Sequence, residues 1–168
     1  YGEVWIEKPP VLLPIDSCEK VQFLDESVLD KYSYYHPYMY QRKLTNEIIE
    51  RFDIGFDKDS NSITFPVRDI QGNLLFITRR SVVDKNFYIP EGVTKPVYLL
   101  DYIVKNNITT VYVCESQINA LTLHTWGYPA IALFGTGDEY QYEQLRKSGV
   151  RHFILCFDGD AAGRKGQQ

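Results

Sequence analysis

The chain has 168 residues, 44% of them hydrophobic and 24% charged, with a formal net charge of −4. This is the profile of an ordinary globular chain of one large or two small domains, long enough to bury about two-thirds of its unfolded surface. It argues against a strongly basic nucleic-acid module. No apolar run reaches the roughly 20 residues that a bilayer crossing needs, and no signal-peptide pattern opens the chain. Three cysteines, Cys18, Cys114 and Cys156, stand far apart. Without a Cys-x-x-Cys or paired-histidine spacing they offer no zinc site in this segment, and a cytoplasmic setting is expected.

Residues 1–24 contain Pro9-Pro10 and Pro14 and hold no sustained period, so they read as an arm or linker. From Asp25 the pattern turns helical, with Val28, Leu29 and Tyr32 at helix spacing and Pro37 barring continuation. Thr45 can cap a second helix that lines up Ile48, Ile49 and Phe52, with Glu47 in its first turn. Ile63–Val67 and Leu74–Thr78 are β-rich runs joined by a turn with Gly72-Asn73, the signature of a hairpin, and Phe87–Ile89 offers a third short strand. A helix-like patch covers Val97–Lys105.

From Thr109 strand and helix alternate. Thr110–Cys114 reads as a strand, Ser116 caps a helix that Gly127 ends, and Pro129–Phe134 is the next strand. Asp138 caps a helix that Gly149 stops, and His152–Phe157 reads as a third strand, apolar and buried. This β-α-β-α-β order predicts an α/β fold with parallel strands and right-handed crossovers, and a 2-1-3 strand order if the sheet is arranged as in flavodoxin-like folds. Trp126 is expected in the core, and His36 and His124 are expected to be structural. Helix packing is the preferred role for the tyrosines between Tyr32 and Tyr40. The predicted organisation is an arm (1–24), a small mixed α+β subdomain with an antiparallel hairpin (25–105) and a parallel-sheet subdomain (106–168) cut short at its C-terminus.

Reactive groups in an open parallel sheet collect at the carboxyl ends of the strands, where strand order reverses. Two of the three predicted strands end in carboxylates: Glu115 after the first, Asp158 and Asp160 after the third. Residues two apart in an extended segment share a side, and Gly159 lets the backbone bend between the aspartates. Carboxylates brought so close repel unless a cation sits among them or one keeps its proton, and hard oxygen donors suit Mg²⁺ or Mn²⁺. Asp158 as a simple helix cap is the plainer alternative. Charge is also uneven. Residues 64–105 carry 6 basic and 4 acidic side chains, the one net-positive segment, and it holds the pair Arg79-Arg80.

Val113-Cys-Glu115-Ser-Gln-Ile-Asn-Ala-Leu121, Ala130–Thr136 and Phe157-Asp158-Gly-Asp160-Ala-Ala-Gly163 together resemble the Toprim domain, and most of all that of the bacterial DnaG-type primases, chromosomal or phage-encoded. Phe65–Gly72, Arg79-Arg80, Lys85 and Pro90-Glu91 are similar to the small N-terminal subdomain of the primase core. The resemblance implies template-directed synthesis of short RNA primers by metal-dependent nucleotidyl transfer. Glu115, Asp158 and Asp160 would be the catalytic and metal-holding residues. Arg80 and Lys85, and more loosely Arg68 and Arg79, would contact nucleotide and single-stranded DNA. The implied partners are a DNA template, ribonucleoside triphosphates and, through a region beyond Gln168, a replicative helicase. The chain, which opens on Tyr1, reads as a piece of a longer protein whose zinc module would precede it. It departs from the family pattern at Ser116 for glycine, Asn119 for aspartate and Tyr88 for asparagine. The alternatives are a Toprim nuclease or topoisomerase fragment, or a non-catalytic Toprim-like scaffold that binds nucleic acid.

Overall fold

The computed structural model describes residues 21–159. The expected arm falls almost wholly outside that span, as does Asp160 with the residues after it. The first helical stretch, Glu26–Tyr32, is a 3₁₀ helix, opened by the Asp25 carboxylate accepting the Ser27 N–H at 2.8 Å. Of the three residues expected on its apolar face only Tyr32 is buried, so packing does little to favour the wider α-helical turn. Pro37 does not merely end a helix. It starts α1 (Pro37–Gln41) at the first-turn position, where its missing N–H costs nothing, and His36 caps it through Nδ1 at 3.1 Å from the Tyr38 N–H. Thr45 caps α2 (Asn46–Arg51) as expected, its hydroxyl accepting from the Ile48 N–H.

The hairpin forms the centre of a four-stranded antiparallel sheet in sequential order: β1 (Gly55–Asp57), β2 (Ser62–Arg68), β3 (Leu74–Ser81) and β4 (Phe87–Tyr88). Pro66 is tolerated in β2 because β1 pairs only with Ser62–Thr64, so the missing N–H lies beyond the end of β1. Sequence reading missed β1, which is three residues long and carries no alternation. Gly55 is required there, since a Cβ would sit 2.2 Å from the Tyr32 carbonyl oxygen.

The parallel unit has β5 (Thr110–Cys114), α4 (Gln117–Thr125), β6 (Ala130–Ala132), α5 (Glu139–Lys147) and β7 (His152–Cys156), with the sheet ordered β6-β5-β7. This is the predicted 2-1-3 arrangement. Asp138 and Gln141 close a reciprocal capping box on α5.

Three expectations at this end are corrected. The helix predicted over Val97–Lys105 is shorter: α3 spans Leu100–Lys105. Tyr98 exchanges backbone hydrogen bonds with Ala132 in both directions, and Leu99 turns at φ 69°. Trp126 is not core. It caps the C-terminus of α4 and is 59% exposed, because Gly127 at φ 84° turns the chain away from the helix there. All five residues of β7 are exposed, because nothing among the described residues covers its faces, whereas β6 at the opposite edge of the sheet is fully buried.

One hydrophobic cluster joins Met39, Ile48 and Phe65 to Ile118 and Leu121 of α4, so the lead-in helices, the antiparallel sheet and α4 share a core. A second gathers Val97, Leu100, Ile103, Val111, Val113, Ile131 and Leu133 around the parallel sheet. Polar pins reinforce the first. Arg42 Nη2 donates to Asn119 Oδ1 at 2.8 Å, and the Thr122 hydroxyl donates to the Arg42 carbonyl at 2.9 Å.

His124 is structural, as expected. It is buried edge-on against Phe52 and Tyr102, its Nε2 is 2.8 Å from the Ala130 carbonyl oxygen, and burial holds its pKa below the ordinary 6.5. A depressed histidine pKa contributes stability above the unfolded value that is lost as pH falls through the folded one. Stability is therefore expected to decline as pH drops below about 6.5. His124→Phe should be less stable at pH 7.5 yet lose part of that slope, as read by denaturant melts across pH. An unchanged slope would contradict the assignment.

Candidate functional site

The parallel pairing of β5 with β7 sets Cys114 beside Cys156, so both strands release their chains at the same level of the sheet. Glu115 follows one strand and Asp158 the other. The Asp158 backbone N–H donates to Glu115 Oε1 at 3.1 Å, which sets the two residues side by side. Glu115 is half-buried and Asp158 exposed. The thiol of Cys114, at the end of β5, is pushed up to about 12 by burial and then by Cys156 and Asp158, so it stays protonated and unreactive.

Both Glu115 and Asp158 line a crevice of about 240 Å³ between the two sheets. Its other walls include Arg80, Phe87, Gln117 and Phe134. The antiparallel sheet supplies Arg80 and Phe87, which are cross-strand partners on β3 and β4 and so project to one face. Alternation along β3 sends Arg79 the other way.

The four predicted basic residues thus part company. Arg79 pairs with Asp57 at 3.1 Å and donates to the Tyr32 hydroxyl at 2.8 Å. Arg68 is ion-paired with Glu26 and with Asp53 at 3.0 Å, and it donates to the Gly72 carbonyl. Its Glu26 partner raises its pKa further. Both arginines fasten the lead-in to the sheet. Lys85 lies exposed in the β3–β4 turn at φ 62°. Arg80 alone of the four lines the crevice, and its Nε is buried without a hydrogen-bond partner.

Sequence reading overlooked Phe87 and Gln117 in the crevice wall. Gln117 is 1% exposed at the first position of α4, and the Thr78 hydroxyl donates to its Oε1 at 2.7 Å. Its Nε2 has no partner. A buried orphan donor costs about 1–3 kcal/mol. The available signal was a glutamine where the apolar face of a helix begins, and it points nowhere without the fold.

Two carboxylates at adjacent strand ends are hard oxygen donors suited to Mg²⁺ or Mn²⁺. Among the described residues no group of three metal-ligating side chains is assembled, and the third predicted ligand, Asp160, lies outside them.

Residues 112–168 match a Toprim-like family. A DNA primase of Haemophilus influenzae is 28% identical over 174 aligned residues, covering 76% of this chain and 29% of the relative. The primase of Aquifex aeolicus, solved as its zinc-binding and RNA polymerase domains, superposes with a TM-score of 0.67 at 17% identity, over 83% of this chain and 48% of that one. A DnaG primase catalytic domain bound to ssDNA gives 0.63 at 21% identity, over 78% of this chain and 56% of that one. This is the Toprim-type catalytic-core fold of the bacterial primases. The chain spans less than a third of the length of the Haemophilus primase.

In primase cores of this type, by the resemblance given above, aspartate stands where this chain has Asn119. Because Asn119 already meets the Arg42 guanidinium, Asn119→Asp should create an ion pair and raise stability at neutral pH by up to about 1 kcal/mol. The gain should vanish as pH falls below the carboxylate range. Denaturant melts at pH 7 and pH 3.5 check this, and a destabilised variant at pH 7 would contradict the placement.

Proposed function

We propose that this chain carries the catalytic core of a primer-synthesising nucleotidyltransferase of the DNA primase type, which joins ribonucleotides on a single-stranded DNA template. The observation that supports it is the meeting of Glu115 and Asp158 at neighbouring strand ends, across a crevice from Arg80. Relatives named DNA primase favour synthesis over the cleavage expected of a Toprim nuclease or topoisomerase.

Glu115 and Asp158, joined by Asp160, would hold Mg²⁺ or Mn²⁺, whose chemistry is to neutralise triphosphate charge and favour attack by a 3′-hydroxyl on the α-phosphate. The chain's own groups do the rest. The Glu115 carboxylate, steadied by the Asp158 N–H, keeps a fixed orientation from which to act as a ligand. Arg80 faces the same crevice and supplies a permanent positive charge against phosphate oxygens. The exposed ring of Phe87 beside it offers an apolar surface that can exclude water or stack on a base. Lys85, in the exposed turn, is suited to template phosphates. Arg68 and Arg79 would act at one remove, by holding the antiparallel sheet in place. A replicative helicase is the expected partner of the longer protein.

Primer synthesis on a single-stranded template by the full-length parent protein tests this reading. Asp158→Asn and Glu115→Gln should each lower the rate by 100-fold or more, the scale expected when charge stabilisation of a transition state is lost, while the melting temperature stays within a few degrees. Substituted proteins that synthesise primers at the parental rate would overturn the reading.

A further inference from the structure

Among the described residues, four buried side-chain polar atoms have no hydrogen-bond partner: the hydroxyls of Tyr38 and Tyr98, Arg80 Nε and Gln117 Nε2. The last two belong to residues lining the one crevice that also holds Glu115 and Asp158. The cases differ in kind. A tyrosine hydroxyl is free to rotate toward a passing water, whereas the Gln117 carboxamide is fixed. Its Oε1 is held by the Thr78 hydroxyl at 2.7 Å, and the single hydroxyl proton goes there rather than to the Phe65 carbonyl at 3.5 Å. Thr78 is itself fully buried on β3, and a carboxamide gripped by one end has its N–H₂ direction set.

Two residues lining one crevice each carry a buried donor without an acceptor, a half-site that an oxygen would complete. Native interiors pair nearly all buried polar groups, so an orphan pair asks for the oxygen that completes it. We propose that Gln117 is a substrate-contacting residue that donates through Nε2 to an acceptor oxygen of the bound nucleotide, acting beside Arg80. This rests on the nucleotidyltransferase reading above. It assigns to Gln117 a positioning contact separate from the carboxylates, and to Thr78 the task of aiming it. The oxygen belongs either to the phosphates or to the base, and the two sources are separable by experiment.

The test is equilibrium binding of a nucleoside triphosphate in the presence of Mn²⁺ by the full chain, comparing the parent with Gln117→Leu. Leucine has nearly the same volume and removes the orphan donor. Were the amide only structural, its removal would leave binding within twofold of the parent. The proposal predicts an affinity loss of about tenfold, with the melting temperature unchanged or raised, since hydrogen bonds to charged or polar ligand atoms carry that much. Gln117→Met serves as a second variant with the same expectation should leucine prevent folding, and loss of less than twofold in the folded variant overturns the proposal. Inorganic tripolyphosphate in place of the nucleotide locates the oxygen. A tenfold loss there too places the contact on phosphate, and a loss seen only with the nucleotide places it on the base or sugar. A parent chain that binds neither probe would instead overturn the nucleotide reading itself, an outcome distinct from parental binding that Gln117→Leu leaves intact.

Discussion

The whole arrangement depends on β5 and β7 being hydrogen-bonded neighbours in a parallel sheet. That pairing brings the chain out of both strands at one level and lets the Asp158 N–H reach the Glu115 carboxylate. Two acidic residues 43 positions apart in sequence become adjacent only because β6 lies on the far side of β5. Had the order been sequential, β6 would stand between them and no shared ligand would be reachable. The topology therefore carries the chemistry, and the crossover helices α4 and α5 enforce it.

The second constraint is the way α4 is shared. Its apolar face joins Met39, Ile48 and Phe65 in one core, and its first turns are pinned by Thr78 and Arg42. Glu115 lies two residues before the start of that helix. Movement of the antiparallel sheet relative to the parallel one would thus be felt at Glu115, and the basic residues divide their labour accordingly. Arg68 and Arg79 hold the antiparallel sheet to the lead-in, which leaves Arg80 to face the crevice. A pair of adjacent arginines with opposite duties follows from strand alternation alone.

Much of this was legible in the sequence. Ser116, Gly127, Asp138 and Gly149 mark helix ends by local chemistry, and the structure keeps each of them. Alternation of strand and helix implied parallel strands with right-handed crossovers, while the 2-1-3 order rested on likeness to flavodoxin-like and Toprim sheets. Glu115 and Asp158 stood out because carboxylates after apolar strands are chemically expensive to place together. What stayed hidden depended on distant partners. The ion pairs of Arg68 reach back to Glu26, and the Gln117 contact reaches to Thr78 across 39 positions, neither of which any local pattern announces. Trp126 misled for a different, local reason: tryptophan is expected in a core, but its place at a helix end leaves it in solvent. The strand β7 reads as buried because it is apolar, and it is open because no described element packs on its faces.

The central claim is that the ends of β5 and β7 form one divalent-metal site, and locating the ion is its most direct test. Crystals soaked in Mn²⁺ should show an anomalous peak about 2.0–2.3 Å from carboxylate oxygens of both Glu115 and Asp158. A peak bound by only one of them, or Mn²⁺ held elsewhere with this pair left bare, would contradict the account.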